Sequence, residues 1–488
     1  MSEPKRLHPA GMILDILLAI RHSILGFLPV VAIALANSEW LILGIGAAVF
    51  LGLIIVSGVL SWWRFTYQLE EDQIRIEKGI FIRKKRTISK HRIQSIDLSQ
   101  NIVHRMFGLT KVQIDTAGND NDIDAALSAV TMADGKMIHD QLKYKKRVEM
   151  DEIKEESGEI TEEVEAKPKK KYPSKKITLQ TLVAAGSTSG SFGIILGLFG
   201  VFFSSIESFI PDRYYTQATE WLISQAAQLL VIYGVITLLI VWLIGILQTV
   251  IQHWNFTITR YDKELFITRG LLEKKQSTIP LKKIQAVGMK ESIVRQPLGL
   301  ASLYVEIASG DIGQTQDTHT LIFPLMRKKH ITKFLQEILP EYHYTTEGLV
   351  KLPTRALPYY IVRSIILPTI VTIVFAFTLT KFVWIPALAI LLFVVYAYIQ
   401  FKTTGYLING REIIIQSRML TKDTAIVPQN RIQSLQKKQH LLHRKQKLAT
   451  LDASILSKFM GRHFIVRELR QEDVDRIADW YSFRDKAE

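Results

Sequence analysis

Long apolar runs without charge alternate along this chain with stretches dense in Lys, Arg, Asp and Glu. A helix needs about 20 mostly apolar residues to cross roughly 30 Å of hydrocarbon. Six stretches are read as such spans: Leu18 to Ala36, Leu41 to Leu60, Ser189 to Phe203 or slightly beyond, Ala226 to Ile251, Ser364 to Thr380 and Phe382 to Ile399. The alternative, helices buried in soluble cores, is rejected for the second and fourth, which are too long and carry no charge. No cleavable signal is expected, because the first run lacks a small-residue cleavage site and another apolar run follows it closely.

The runs come in pairs. The turns inside the pairs are poor in basic residues, whereas Lys5 and Arg6, Arg83-Lys84-Lys85-Arg86, Lys169-Lys170-Lys171 and Arg327-Lys328-Lys329 lie outside them. The excess of cations on one side places both termini and the polar stretches in the cytoplasm. Trp62, Trp63 and Trp254 close the second and fourth runs as an aromatic belt. Arg21 and Arg363, near the starts of the first and fifth runs, are expected as interface anchors that reach the inner headgroups.

The polar stretches repeat. Trp63-Arg64-Phe65-Thr66 returns as Trp254-Asn255-Phe256-Thr257, and at the same offset (254 − 63) Gly79 matches Gly270, Gln94 matches Gln285 and Gly108-Leu109 matches Gly299-Leu300. A third copy carries Arg431-Ile432-Gln433-Ser434 for Arg92-Ile93-Gln94-Ser95, and His443-Arg444 for His104-Arg105. Alternation of apolar and polar residues predicts hairpins such as Phe65 to Glu77 and Tyr406 to Ile415, the latter around Asn409-Gly410. Helical stripes at Thr131 to Tyr144, Pro324 to Leu339 and Arg470 to Tyr481 end the copies, the last with Val474, Ile477, Ala478 and Trp480 on one face. About seven short strands and a terminal helix predict a small barrel plugged by a helix.

The expected order is a membrane hairpin (1–62), a β domain (63–145), a charged linker (146–176), a hairpin (177–253), a β domain (254–345), a hairpin (346–400) and a β domain (401–488). The linker is read as disordered from its Glu-rich and Lys-rich blocks with Pro168 and Pro173.

His91-Arg92-Ile93-Gln94-Ser95-Ile96, Gln100-Asn101-Ile102-Val103-His104-Arg105, Phe107-Gly108-Leu109 and the run from Val112 to Gly118 resemble the bacterial membrane proteins with a pleckstrin-homology-like domain. In the second copy the stretch Pro280 to Leu300 matches. The resemblance covers nearly the whole chain. It implies a PH-like barrel for each β unit, so that with the apolar runs and their charge pattern the expected fold is an α-helical membrane protein of six transmembrane helices in three hairpins, with three cytoplasmic PH-like β-barrel plus C-terminal helix domains. It implies residence in the cell membrane and no established enzymatic activity. A smaller single-repeat relative is the protein partner it suggests. The third copy departs from the pattern, with Arg418 and Lys447 where the others have Gly79 and Gly108, and altered turns are expected there.

Composition narrows the chemistry. The 488 residues carry a formal charge of +15 and no cysteine, which excludes disulfides, thiol catalysis and Cys-ligated metal. With apolar runs present, the charge points to membrane lipids rather than to nucleic acid. Asp120-Asn121-Asp122-Ile123-Asp124 resembles the start of a calcium loop but has Ala125 and Thr131 where glycine and glutamate are needed. His440 and His443 share a spacing but have no further ligand nearby. No phosphate-binding glycine loop, nucleophile elbow or acid–base pair occurs, and neither a cofactor, a metal nor catalysis is expected. Arg83, Lys84, Lys85, Arg86, Lys274 and Lys275 are the candidate contacts to anionic lipid, at about 1 kcal/mol per juxtamembrane cation; topology-setting charge is the reading preferred over specific headgroup docking. The function expected is a non-enzymatic scaffold whose domains bind protein partners or each other, with a possible homo-oligomer. A transporter or channel component and an anionic-lipid sensor are the alternatives.

Overall fold

The computed structural model describes residues 4–36, 40–70, 72–116, 125–139, 141–142, 172–189, 227–308, 320–345, 347–378, 380–457 and 461–482. In the first repeat, strand β1 (Lys5–Arg6) precedes helices α1 (Pro9–Ala36) and α2 (Trp40–Arg64). Then follow β2 (Thr66–Leu69), β3 (Gln73–Lys78), β4 (Lys84–Ser89), β5 (Ile93–Gln100), the short helix α3 (Ile102–Met106), β6 (Leu109–Thr116) and β7 (Ala125–Thr131). The second repeat has β8 (Ser174–Lys176), α4 (Leu179–Ser187), α5 (Ala227–His253), β9 (Thr257–Arg260), β10 (Glu264–Arg269), β11 (Lys274–Pro280), β12 (Ile284–Glu291), β13 (Leu300–Ile307), β14 (Thr320–Arg327) and α6 (Ile331–Ile338). The third has β15 (Val350–Lys351), α7 (Leu357–Thr378), α8 (Trp384–Thr403), β16 (Gly405–Asn409), β17 (Glu412–Arg418), β18 (Lys422–Pro428), β19 (Ile432–Lys438), α9 (Leu441–Lys445), β20 (Leu448–Ile455), β21 (Arg462–Arg470) and α10 (Gln471–Ser482).

Among the described residues, four helical segments are long and apolar enough to cross a membrane: Gly44–Arg64, Ile232–His253, Thr354–Thr378 and Thr380–Thr403. Leu53, Leu243, Leu367 and Leu392 on them are each more than 60% exposed. Apolar surface of that extent is unfavourable in water and neutral against lipid tails, so composition and exposure agree. The expected first span lies on α1. The expected third span falls, beyond Ser189, outside the described residues.

Strands β1, β8 and β15 lie ahead of the helices yet pair antiparallel with β2, β9 and β16. Each helix pair is therefore inserted between the first and second strands of a β unit, rather than preceding the unit as expected. The charged stretch also ends earlier than read from its composition, because Ser174–Lys176 is strand β8; 143–171 lie outside the described residues. Two or three residues cannot display a period of two, so strands this short leave no alternation to read.

The chain forms two compact bodies, Met1–Tyr172 with Tyr261–Pro280 and Asp311–Gln314, and Pro173–Arg260 with Leu281–Gly310 and Thr315–Glu488. In the first body, one sheet runs β1-β2-β3-β4 and another contains the order β7-β6-β5-β11-β10. Between the two halves of the first repeat lies a core that includes Tyr67, Ile74, Ile88, Ile96, Ile114 and Leu127, closed by Ile138 and Leu142. In the second body, a seven-stranded sheet runs β14-β13-β12-β18-β17-β16-β15, beside a sheet β19-β20-β21. The third repeat's core joins Tyr406, Ile413 and Val427 to Leu451, Val466, Val474 and Ile477. Fully burying one such side chain contributes about 1.5–3 kcal/mol, so the alternating strands of the first and third repeats, with the α10 stripe in the third, commit them to this sandwich.

The third repeat's departures have two outcomes. Lys447 keeps the left-handed turn of Gly108 and Gly299, with φ of 53° against 65° and 63°. Arg418 instead ends β17 and pairs directly with Lys422, which shortens the turn that Gly79 and Gly270 open in the other repeats. A left-handed conformation costs a side-chain-bearing residue roughly 1–2 kcal/mol, partly offset by glycine's larger entropy loss. Lys447→Gly is therefore expected to raise stability by up to about 1 kcal/mol, and Gly108→Ala to lower it by about 1 kcal/mol. Thermal unfolding of the two variants beside the parent protein checks both signs.

Candidate functional site

A cluster of buried polar side chains lies where the second and third β units meet. Strand β12 pairs with β18 over five rungs, from Val287 opposite Ile426 to Glu291 opposite Lys422. Gly288 sits under the ring of Tyr304, where a Cβ would approach Cζ to 2.1 Å, so only glycine lets the ring cross the sheet at this rung. The Tyr304 hydroxyl donates to Asp423 Oδ1 at 2.7 Å, and Arg462 donates to Asp423 Oδ2 at 2.8 Å and to the hydroxyl at 3.2 Å. Arg462 also holds Glu306 and lies over the Tyr304 ring at 5.2 Å. Glu291 is bonded by Lys328 at 2.7 Å and approached by Lys422 at 3.5 Å. Burial pushes Tyr304 well above the usual phenol range, with Asp423 adding to the shift, so the group stays a hydrogen-bond donor. Burial pushes Lys422 down while Glu291 opposes that shift. These groups engage one another where the two units meet, with Glu291 Oε1 left to its ion pair with Lys422 rather than a hydrogen bond.

The first and second units meet in the same way. Strand β11 pairs with β5, Lys274 opposite Gln100, Lys275 opposite Ser99 and Gln276 opposite Leu98. Asp97 Oδ1 accepts from the Thr278 amide at 3.0 Å, and Arg105 donates to the Leu271 carbonyl at 2.7 Å. Lys274 and Lys275 thus belong to a strand interior to a sheet. Their counterparts at the fixed offset are Arg83, just before β4, and Lys84, its first residue; β4 is the terminal strand of its sheet and also carries Lys85 and Arg86. Arg83 and Lys85 both pair with Glu77, at 2.5 and 3.0 Å.

A model of the bacterial PH domain matches residues 23–146, 201–342 and 364–484. The transmembrane protein YdbT of Bacillus subtilis (strain 168) is 32% identical over 493 aligned positions, covering 99% of this chain and 99% of that protein. The chain belongs to the bacterial PH domain family. It is a membrane protein with that domain repeated.

In each repeat one equivalent side chain, His104, Arg295 or His443, lies near the helix that follows the first strand of the unit. His104 is buried and bonds the Ser128 carbonyl through Nε2 at 2.8 Å, while Ser128 donates to Asp15 on α1 at 3.1 Å. Arg295 donates to Thr188 Oγ1 at 3.0 Å, to the Ala185 carbonyl at 3.1 Å and to Ser302. Burial pushes the Arg295 guanidinium below the usual arginine range. His443 lies 3.8 Å from the Glu468 carboxylate, with its ring 5.1 Å from that of Tyr359.

The expected interface anchors have distinct surroundings. Arg363, expected as an interface anchor, donates to buried Glu468 of the PH unit while its side chain stays 36% exposed. It also has no equivalence with Arg21: counted from strands that pair with equivalent tyrosines, Lys5 with Tyr67 and Val350 with Tyr406, Arg363 aligns with Leu18. Arg21 is exposed on α1. Trp62 donates from Nε1 to the Leu7 carbonyl at 3.0 Å and packs on the first core, bracing α2 against its unit. Trp63 is 54% exposed and Trp254, just past α5, is half-buried.

Among the described residues, no group of three metal-ligating side chains occurs. His440 Nδ1 accepts from the Leu442 amide at the start of α9; the acidic run at 120–124 lies outside the described residues. Sequence reasoning passed over Tyr304, Glu306, Asp423, Arg462 and Glu468. The usable signal was a glutamate inside the apolar strand Leu303-Tyr304-Val305-Glu306-Ile307, since a charge on a buried strand requires a partner.

Arg462→Met leaves the Glu306 carboxylate, 1% exposed, and Asp423 without their cation. The expected loss is about 3–5 kcal/mol, read by chemical unfolding, with Arg462→Met/Glu306→Leu recovering part of it. Burial, His440 and Arg363 together depress His443 below its ordinary 6.5. A depressed histidine contributes stability above the unfolded value that is lost as pH falls below it. The melting temperature of the parent should therefore fall more between pH 7.5 and about 5.5 than that of His443→Asn. Glu468, which burial pushes up against the opposing Arg363, is common to both proteins.

Proposed function

We propose that this protein is a non-enzymatic membrane scaffold whose PH units bind protein partners or further PH units at the inner membrane face. Three hairpins, six crossings in all, anchor three PH units on the cytoplasmic side, with both termini there. The observation that carries this reading is the pair of seams β5–β11 and β12–β18, in which one unit recognises the next through a sheet edge and complementary polar groups. Strand addition of this kind is a general means of protein recognition, because backbone hydrogen bonds supply affinity and side chains at alternate rungs supply selectivity. The buried ionic groups at the second seam are engaged with one another, which supports holding rather than turnover.

A second reading has its own observation. Lys84 and Lys85 are exposed on a terminal strand, and a cluster of cations attracts anionic headgroups within a Debye length of the surface. On this reading PH units sense anionic lipid.

Purification of the tagged full-length protein in detergent, with measurement of its mass and of what accompanies it, separates the readings. The scaffold predicts a stoichiometric partner, such as a smaller single-repeat relative, or a defined oligomer. Recovery of a lone monomer whose binding to vesicles rises steeply with anionic lipid would replace it with the sensor.

A further inference from the structure

The two seams obey one rule down to the rung. Gln100 faces Lys274, Ser99 faces Lys275 and Leu98 faces Gln276 at the first. At the second, the repeat-equivalent residues meet in the same register: Glu291 faces Lys422, Lys290 faces Asp423 and Met289 faces Thr424. In both, the fourth strand of one repeat's β unit, counted after its hairpin, receives the third such strand of the next repeat. No rung sets two like charges opposite one another.

The rule leaves two ends. Among the described residues, β4 of the first repeat and β19 of the third each pair on one side only. Continued to a second copy of this chain, the register would set Lys437 against Lys85, Lys438 against Lys84 and Gln439 against Arg83. Like charges directly opposite in a sheet are destabilising, so the chain's ends reject each other. Lysine on an edge strand is also a common guard against unwanted pairing. Here the guard is selective, because at both internal seams the cation of this strand, Lys274 or Lys422, sits opposite an amide or a carboxylate.

We propose that β4 is a docking edge for a PH unit of a different polypeptide, one whose matching strand carries acidic or amide side chains opposite Arg83, Lys84 and Lys85. Backbone pairing supplies the attraction, and the cations exclude a second copy of this chain. This inference rests on the scaffold reading and gives it an interface and a partner chemistry.

The chain has no cysteine, so engineered pairs report one contact alone. Full-length protein with Arg86→Cys presents the native Lys84 and Lys85. It is mixed in detergent with full-length protein carrying Gln436→Cys, either with native lysines or with Lys437→Glu and Lys438→Glu. Position 436 faces position 86 in the continued register. The acidified strand is expected to form the intermolecular disulfide at least about tenfold more than the native one. Lys437 and Lys438 bridge Asp475 and Asp452, so a reciprocal pair guards against local unfolding: Lys84→Glu/Lys85→Glu/Arg86→Cys mixed with Gln436→Cys and native lysines, with the same gain expected. Absence of cross-linking in both pairings, from proteins that melt like the parent, overturns the docking edge. Equal cross-linking by native and acidified strands overturns the exclusion of a second copy. Failure of both pairings beside a partner recovered with the native chain removes this edge and leaves the scaffold. Cross-linking with no partner recovered does the reverse.

Discussion

Every β-sheet edge carries a row of backbone donors and acceptors that must find partners, and this protein meets the demand by joining its repeats edge to edge. The first seam sets β5 beside β11 and the second sets β12 beside β18, so two sheets each draw strands from successive repeats. The first and third repeats each enclose a core between two sheets, and two of the sheets are shared between successive repeats. Removing one repeat would expose the edge of another as well as its own. The side chains at the seams follow from this backbone pairing. Gly288 admits Tyr304, Tyr304 reaches Asp423, and Arg462 closes the group against Glu306.

The same economy governs attachment to the membrane helices. Because each hairpin leaves its β unit after the first strand and returns before the second, both of its ends are pinned by sheet pairing. From the opposite half of the unit, His104, Arg295 or His443 lies near the helix that follows the first strand. These three equivalent positions differ in chemistry. A histidine bonds a carbonyl, an arginine bonds a carbonyl and hydroxyls, and a second histidine packs beside an Arg363–Glu468 pair. Burying such groups costs free energy unless they find partners; Arg295 bonds Thr188 directly and His104 reaches Asp15 through Ser128, while His443 makes no hydrogen bond through its ring nitrogens.

The repeats differ in charge where they are otherwise alike in shape. The strand that opens each seam carries Arg83-Lys84-Lys85 in the first repeat, Lys274-Lys275-Gln276 in the second and Lys422-Asp423-Thr424 in the third. Only the last two are interior to a sheet, and their charge falls where contact with a neighbour requires it. The excess of cations remains on the strand that no neighbour within the described chain covers.

Periodicity and composition determined by themselves that apolar helices alternate with small β units, that the units repeat, and that Val474, Ile477 and their counterparts face inward. These properties are local: a helix long enough for lipid and a strand with one wet face must each write their period into consecutive residues. The residues of the family resemblance were legible for the same reason. What the tertiary structure decided was which edges meet. Strands β1, β8 and β15 are too short to show a period, so their pairing across a hairpin emerges only from contact. Lys274 and Lys275 read as lipid contacts alongside their equivalents Arg83 and Lys84, yet one pair lies inside a sheet and the other at its rim. Arg363 read as a headgroup anchor, and only the fold brings it to a buried partner, Glu468, far along the chain. Charge in a sequence gives the sign of an interaction, and only the fold places the group it acts upon.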